Sequence, residues 1–290
     1  MSERLLITGA SGNVGTETIN ALTAYPTADY QVVAGVRNPT EDRAGVPDTV
    51  SGLVRLDFTN PRTFDTALEG IDRVLLVRPP QLADVARYFA PFVGAMQRAG
   101  TKQVVFLSLQ GVENNPLTPH AKIEKLITNA HLPYTFLRPG FFMQNLSTTH
   151  RKEIRERNEI FVPAGNGKTS FIDVRDIGSI AALSLRDTGH INKAYELTGS
   201  EALTYHEVAE ILSEVLGRTI TYTDPSIFRF VWRKRIQENV SLGFVLIMVT
   251  LYSVAKAGRA GGLTDEVQQL LGRPPITFRQ FAEDYKKVWM

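Results

Sequence analysis

The chain has 290 residues, 43% of them hydrophobic and 21% charged, which gives it room for a large α/β domain with an appended lobe and excludes a disordered chain. Lys plus Arg number 32 against 30 for Asp plus Glu, a net charge of +2 that is far from the basic excess direct nucleic-acid binding needs, so no nucleic-acid partner is expected. The absence of cysteine excludes disulfides, thiolate metal sites and a cysteine nucleophile, and the five histidines form no HExxH or HxH pair that would hold a metal.

MSERLLITGAS passes straight into a strand and a glycine turn with no apolar leader, a pattern read as the mature start of a cytoplasmic protein. Apolar runs then alternate with amphipathic stretches, the rhythm of βαβ units on a parallel sheet. Strands are predicted at Arg4–Thr8, Tyr30–Val36, Leu53–Asp57, Arg73–Val77, Gln103–Ser108 and Tyr134–Arg138. Helices are predicted between them at Asn13–Ala24, Pro61–Leu68, Gln81–Ala99 and Pro119–Asn129. Arg138-Pro139-Gly140 breaks this rhythm. After it, RKEIRERNE is predicted to be helical as far as Glu159 and PAGNGKTS to turn. FIDVRDIGSIAALSL is predicted as a short strand and a helix returning to the sheet, with Asp176 near the helix start. From about Ser200 the chain is mainly helical, with a helix at Thr204–Leu216 and a strand at Thr219–Thr223. Leu242–Ala255 is apolar throughout but short of the roughly 20 residues that span a bilayer, so it is read as a buried helix of this lobe, with docking on a membrane surface as the lesser alternative.

The first strand ends in Gly9-Ala10-Ser11-Gly12-Asn13-Val14-Gly15, which opens the first helix. In such a turn the first glycine allows the tight bend, the second lets the backbone approach a pyrophosphate, and the third lets helix and strand pack closely. Free N–H groups and the positive helix end then hold the phosphates. The fold class is therefore α/β, a doubly wound parallel-sheet Rossmann domain with a smaller, mainly helical C-terminal substrate lobe. The first spans 1–148 plus about 171–199 and the second about 149–170 plus 200–290. At the end of the second strand an acidic residue would bind the ribose hydroxyls of NAD, whereas this chain has Arg37, which can clamp a 2′-phosphate, so NADP(H) is the expected cofactor. A merely solvent-facing Arg37 is the alternative. Asp57 and Phe58, after the third strand, would offer an adenine-edge acceptor and an apolar wall, or Asp57 would only cap the following helix.

Beyond the glycine turn, the sequence resembles the NmrA-like atypical short-chain dehydrogenases along nearly its whole length. The resemblance rests on TGASGNVG (8–15), VRNP (36–39), LDF (56–58), PYTFLRPGFFMQN (133–145), FIDVRDIG (171–178), AYELTG (194–199) and LGRPPITFRQF (271–281). It implies cofactor contacts at Gly9, Ser11, Gly12, Asn13, Val14, Arg37, Asp57 and Phe58. Val77, Arg78 and Pro79 with Pro139, Phe141 and Phe142 would flank the nicotinamide and its ribose. The Tyr of ordinary short-chain dehydrogenases lies in a YxxxK pair after the fifth strand, where this chain has His120 to Glu124. Its own YxxxK string, Tyr252 to Lys256, falls in the wrong context and is read as coincidence.

His120 and Glu124 stand one helical turn apart, so Glu124 could orient or charge the imidazole and His120 could donate a proton as hydride reaches an acceptor. Alternatively, Thr118-Pro119-His120 only starts a helix and Glu124 is a solvated partner of a neighbouring lysine. Ser108 could hold a substrate oxygen or be a satisfied strand-end hydroxyl. Phe141, Phe142, Phe228, Phe230 and Trp232 suit a small planar hydrophobic substrate, and suit a core equally well. The expected function is NADPH-dependent hydride transfer to a quinone-like, azo or enone electrophile without flavin or metal. A non-catalytic NADP(H) sensor that binds a protein partner is the alternative, an epimerase fits less well without the Tyr–Lys pair, and homodimerisation is left open.

Overall fold

The computed structural model describes residues 2–24 and 30–290. It divides into two compact units, Met1–Pro139 with Val174–Leu197, and Gly140–Asp173 with Thr198–Met290. The chain thus crosses at 139/140, 173/174 and 197/198, against the expected 148/149, 170/171 and 199/200.

In chain order the first unit begins β1 (Glu3–Thr8), α1 (Asn13–Thr23), β2 (Tyr30–Val36), β3 (Gly52–Arg55), α2 (Phe64–Leu68) and β4 (Arg73–Val77). It continues through α3 (Val85–Tyr88), α4 (Ala90–Arg98), β5 (Gln103–Leu107), α5 (Pro119–Asn129) and β6 (Tyr134–Pro139). The chain then enters the second unit with β7 (Phe141–Phe142), α6 (Gln144–Ser147), α7 (Arg151–Arg157), β8 (Glu159–Phe161) and β9 (Thr169–Ile172). It returns for α8 (Val174–Arg186) and β10 (Lys193–Leu197). The rest of the second unit is β11 (Ala202–Leu203), α9 (Tyr205–Leu216), β12 (Thr221–Thr223), α10 (Ile227–Trp232), α11 (Leu242–Lys256), α12 (Glu266–Leu271), α13 (Phe278–Asp284) and α14 (Lys286–Trp289).

The first unit is a seven-stranded sheet in the order β10-β6-β5-β4-β1-β2-β3, with every neighbour parallel. Its central strands read as unbroken apolar runs because both faces are covered. One face packs Leu6, Val74, Val104 and Phe106 against Phe64, Phe92 and Ile123 of the helices. On the other lie α1 and α8, which approach so closely at Gly178 that a Cβ there would overlap the backbone of Glu17 and Thr18. Asp176 sits buried in the first turn of α8. The second unit has a three-stranded sheet, β11-β9-β7, a parallel pair, β12-β8, and a core around Phe171, Phe230, Phe278 and Trp289.

Four expectations need correction. The helix expected over 81–99 starts only at Val85, capped by Asp84, and is interrupted at Phe89, two residues before Pro91, whose ring cannot continue the preceding ladder. The helix expected to reach Glu159 stops at Arg157, because Asn158 adopts a left-handed conformation and Glu159 starts β8. β10 was not among the predicted strands; it is a short edge strand, largely exposed at its start, with no continuous apolar run to mark it. Finally, α11 is not a buried helix. Val245, Met248, Tyr252 and Ala255 face the core, but Leu242, Leu246, Leu251 and Val254 are each at least 40% exposed. No helix among the described residues is long and apolar enough to cross a membrane.

Candidate active site

Parallel strands end on one side of a sheet, so their exits converge there in strand order. The neighbours β1 and β4 send their connections toward opposite edges, which opens a crevice at their carboxyl ends. The glycine turn follows β1, Arg37 follows β2, Val77 to Pro79 close β4, Ser108 follows β5 and Pro139 ends β6.

Gly9 has φ +62°, a conformation that glycine adopts without strain, and its carbonyl accepts the Gly12 N–H at 2.9 Å. A Cβ on Gly15 would overlap that same carbonyl, so α1 can begin against β1 only if this residue is glycine. Gly12 is the N-cap of α1 and offers no side-chain cap, and no acidic residue occupies the first turn. The leading amides of α1 and the positive end of its dipole are thus available for an anion such as a pyrophosphate. Ser11 and Asn13 are exposed beside this turn, and Val14 is buried behind it. The Val77 N–H donates to Thr8 Oγ1 at 2.8 Å, and the Val77 side chain lies against Gly9.

Arg37 is exposed and its guanidinium makes no hydrogen bond or ion pair among the described residues. Asp57 does not cap a helix. Its Oδ1 accepts from the N–H and hydroxyl of Thr59 at 2.9 and 2.7 Å, while Asn60 caps the short helix that follows. Phe58 does not stand open as a wall, because its ring is buried among Phe64, Phe89 and Phe92, edge-on to Phe92 at 5.2 Å.

Thr118 caps α5 through the Ala121 N–H, with Pro119 in the first turn, so the Thr-Pro-His start is a helix start as its sequence reads. The expected partnership of His120 with Glu124 is absent. Glu124 is buried and held by Arg138 through two bonds of 3.1 and 2.7 Å, which raise the Arg138 pKa, and it is not the solvated partner of a lysine either. His120 instead accepts a long hydrogen bond, 3.4 Å, from Arg78 Nε at its Nε2. Burial and the Arg78 charge push the imidazole pKa down to about 3, so the ring is neutral at pH 7 with its proton on Nδ1. Arg78 is fixed in turn by the carbonyls of Pro79, Pro80 and Leu82 at 3.0 to 3.1 Å. Ser108 is buried, its N–H donates to the Leu137 carbonyl at 2.7 Å, and its Oγ has no hydrogen-bond partner. The satisfied strand-end hydroxyl is therefore not what the fold provides. Arg78 and Arg138 as the fixers of His120 and Glu124 escaped sequence reasoning, since both partnerships join residues far apart in the chain; the Arg in LRPG was the available signal for the second.

Phe141 and Phe142 belong to the second unit, where they pair with Phe171 and Ile172 of β9. In that unit Phe230 is core, whereas Phe228 and Trp232 are exposed. Tyr252 is buried with its hydroxyl 2.6 Å from His150 Nε2, and Lys256 is exposed and paired with Asp224, so the Tyr252–Lys256 string is not a catalytic pair. A cavity of about 330 Å³ lined by Arg157, Phe161, Trp232 and Arg233 has its walls in the second unit alone. Among the described residues, no group of three or more His, Asp and Glu side chains converges as metal donors would.

A parallel seven-stranded sheet that opens with a glycine turn closed by Gly15 defines a Rossmann-like protein. The chain belongs to the NmrA-like family, whose model matches residues 1–256. It is 32% identical over 287 residues to the NAD(P)H azoreductase of Xenophilus azovorans, covering 96% of each chain. It is 28% identical to quinone oxidoreductase 2 of Escherichia coli strain K12, covering 95% of this chain and 96% of that one. Among solved structures it is similar to Citrobacter sp. triphenylmethane reductase complexed with NADP(H), with a TM-score of 0.84 at 26% identity, covering 98% of this chain and 99% of that one.

Proposed function

We propose that this chain is an NADPH-dependent oxidoreductase that reduces a planar, conjugated electrophile of the quinone, azo or enone class by direct hydride transfer, without flavin or metal. One observation carries the reading: an uncapped helix start, closed onto Gly9 by a glycine that tolerates no Cβ, is followed one strand later by the unpaired cation of Arg37. The helix amides suit a pyrophosphate, and Arg37 suits a 2′-phosphate where an acidic residue would repel one. Bound there, the reduced nicotinamide supplies the hydride.

The chain's own groups then bind and orient. Val77 and Pro79 at the exit of β4 and Pro139 at that of β6 offer apolar side chains, and the Ser108 hydroxyl is free to donate to the acceptor oxygen or nitrogen where charge gathers. The acceptor gains two electrons with the hydride and a proton from water. His120, being neutral with Nε2 facing Arg78, has only the Nδ1–H to offer a bound acceptor and no imidazolium proton to give. The reading places the enzyme in the cytoplasm, acting on a small molecule.

A second reading, an NADP(H) sensor that binds a protein partner, is favoured by the occupation of the Tyr–Lys positions by His120 and a Glu124 committed to Arg138. NADPH oxidation followed at 340 nm with quinones, azo dyes and enones separates the two: turnover supports the enzyme, and tight binding without turnover supports the sensor. Calorimetric titration of Arg37→Ala is expected to weaken NADPH about tenfold or more and leave NADH nearly unchanged. Equal affinity of the wild type for both cofactors overturns the NADPH preference.

A further inference from the structure

Large apolar side chains exposed among the described residues are concentrated in one stretch of the second unit. All except Leu117 and Met290 fall between residues 227 and 263. Phe228 is 79% exposed, Ile236 66%, Leu246 53% and Trp232 49%. Helix α11 makes the anomaly plain, because it carries no charged residue from Leu242 to Ala255 although one side faces outward. Val245, Met248, Tyr252 and Ala255 form the buried side; Leu242, Leu246 and Val254, with Gly243, Thr250 and Ser253, are exposed. A helix whose outer face meets only water places charged side chains there.

The charge of the same stretch is one-sided. Residues 227–263 hold six basic side chains and a single acidic one, Glu238. Three of the six are turned to internal partners: Lys234 to Glu153 and Glu238, Arg233 to Glu159, and Lys256 to Asp224. The other three, Arg229, Arg235 and Arg259, are exposed and form no ion pair among the described residues. Glu238 is only part-exposed and already held by Arg157 and Lys234. The stretch therefore exposes aromatic and aliphatic side chains together with three guanidinium groups that form no ion pair among the described residues, and its one carboxylate is already held.

We propose that the α10–α11 face is a docking surface for an anionic lipid bilayer, on which the protein lies without spanning it. Apolar side chains enter the acyl boundary, Trp232 and Phe228 sit at headgroup depth, and the three arginines meet lipid phosphates. The 15 residues of α11 are too few to cross, since a span takes roughly 20. A second copy of the chain is the weaker occupant, because symmetric pairing would bring the same unpaired arginines toward each other. The inference is independent of the hydride chemistry proposed above.

The test is co-sedimentation of the full chain with vesicles of phosphatidylcholine alone and of phosphatidylcholine containing about one-third phosphatidylglycerol. Binding to the anionic vesicles only, reversed by salt, is expected, with a blue shift of Trp232 emission that Trp232→Phe removes; Trp289 is fully buried and stays silent. Leu246→Glu and Arg235→Glu should each lower the partition coefficient about fivefold or more, with an unchanged melting temperature because both positions are exposed. Failure to sediment with anionic vesicles, equal binding to neutral ones, or indifference to Leu246→Glu overturns the proposal. A dimer in analytical ultracentrifugation that Leu246→Glu dissociates also overturns it, in favour of a second copy. NADPH titration of the same variants is expected to match the wild type.

Discussion

Ser108 pays a desolvation penalty that the fold does nothing to recover. A buried hydroxyl without a partner costs about 1–3 kcal/mol, and such groups persist where a ligand completes them. Ser108→Ala should therefore raise stability by about 1 kcal/mol while lowering kcat/KM at least about tenfold, read from urea unfolding and from NADPH oxidation. A fall in stability together with unchanged turnover would show the hydroxyl to be structural. His120 behaves in the opposite way, as a group silenced by its surroundings. Its pKa drops from 6.5 to about 3 on folding, so between those values the unfolded chain binds a proton that the folded chain does not. Stability thus falls as pH drops from 6.5 toward 3 and is indifferent to this group above 6.5. Unfolding free energies of wild type and His120→Gln measured across that range should diverge in slope, the variant being flatter. The same value means that kcat/KM shows no imidazole limb between roughly pH 5 and 9.

At the level of elements, α5 is tied to the end of β6 by the two-pronged bond of Glu124 to Arg138. Both side chains are largely buried, at 11% and 19% exposed, so removing Glu124 leaves Arg138 only its longer contact with Glu113, at 3.5 Å. Glu124→Ala is expected to destabilise by about 2–3 kcal/mol and to leave NADPH affinity within about twofold, whereas a residue that orients His120 would change turnover without changing stability. Chemical denaturation beside kcat/KM decides between them. The crossing of α1 and α8 shows the same economy in backbone form, since Gly178 admits the backbone of Glu17 where any Cβ would collide.

Across the whole molecule the least expected feature is a chain of buried polar contacts inside the second unit. His150, Glu153 and Lys234 are each no more than 2% exposed, with His150 Nδ1 at 2.8 Å and Lys234 Nζ at 2.9 Å from Glu153. Burial pushes the Glu153 carboxyl up, but the bond from His150 and the charge of Lys234 outweigh it and the net shift is downward from 4.5. Its contribution is therefore present above pH 4.5 and is lost as pH falls through the depressed folded value. Lys234→Met should cost about 3–5 kcal/mol by leaving the buried Glu153 with His150 as its remaining partner, and adding Glu153→Gln should recover most of that loss. A double variant no more stable than the single one would show that the pair is not the seat of the effect.

How far the sequence could be read depended on how local each cause is. The glycine turn, the alternation of apolar runs with helices, and the place of Arg37 after the second strand are set by neighbours within a few residues, so six of the seven strands, the uncapped start of α1 and the exposed cation beyond β2 were legible from the string alone. The seventh strand at Lys193–Leu197 was not, because an edge strand needs no apolar run, and α11 was misread because composition states how apolar a helix is and not how many of its sides find a partner. The roles of Asp57, Phe58, His120 and Glu124 also awaited the tertiary structure. Three were decided by a partner brought from another part of the chain, Phe92 for Phe58, Arg78 for His120 and Arg138 for Glu124, whereas Asp57 is held by a local turn that folds Thr59 back upon it. Periodicity and turn chemistry act along the chain and can be read there; hydrogen bonding and burial act through space, and only the folded arrangement fixes which groups are left to act.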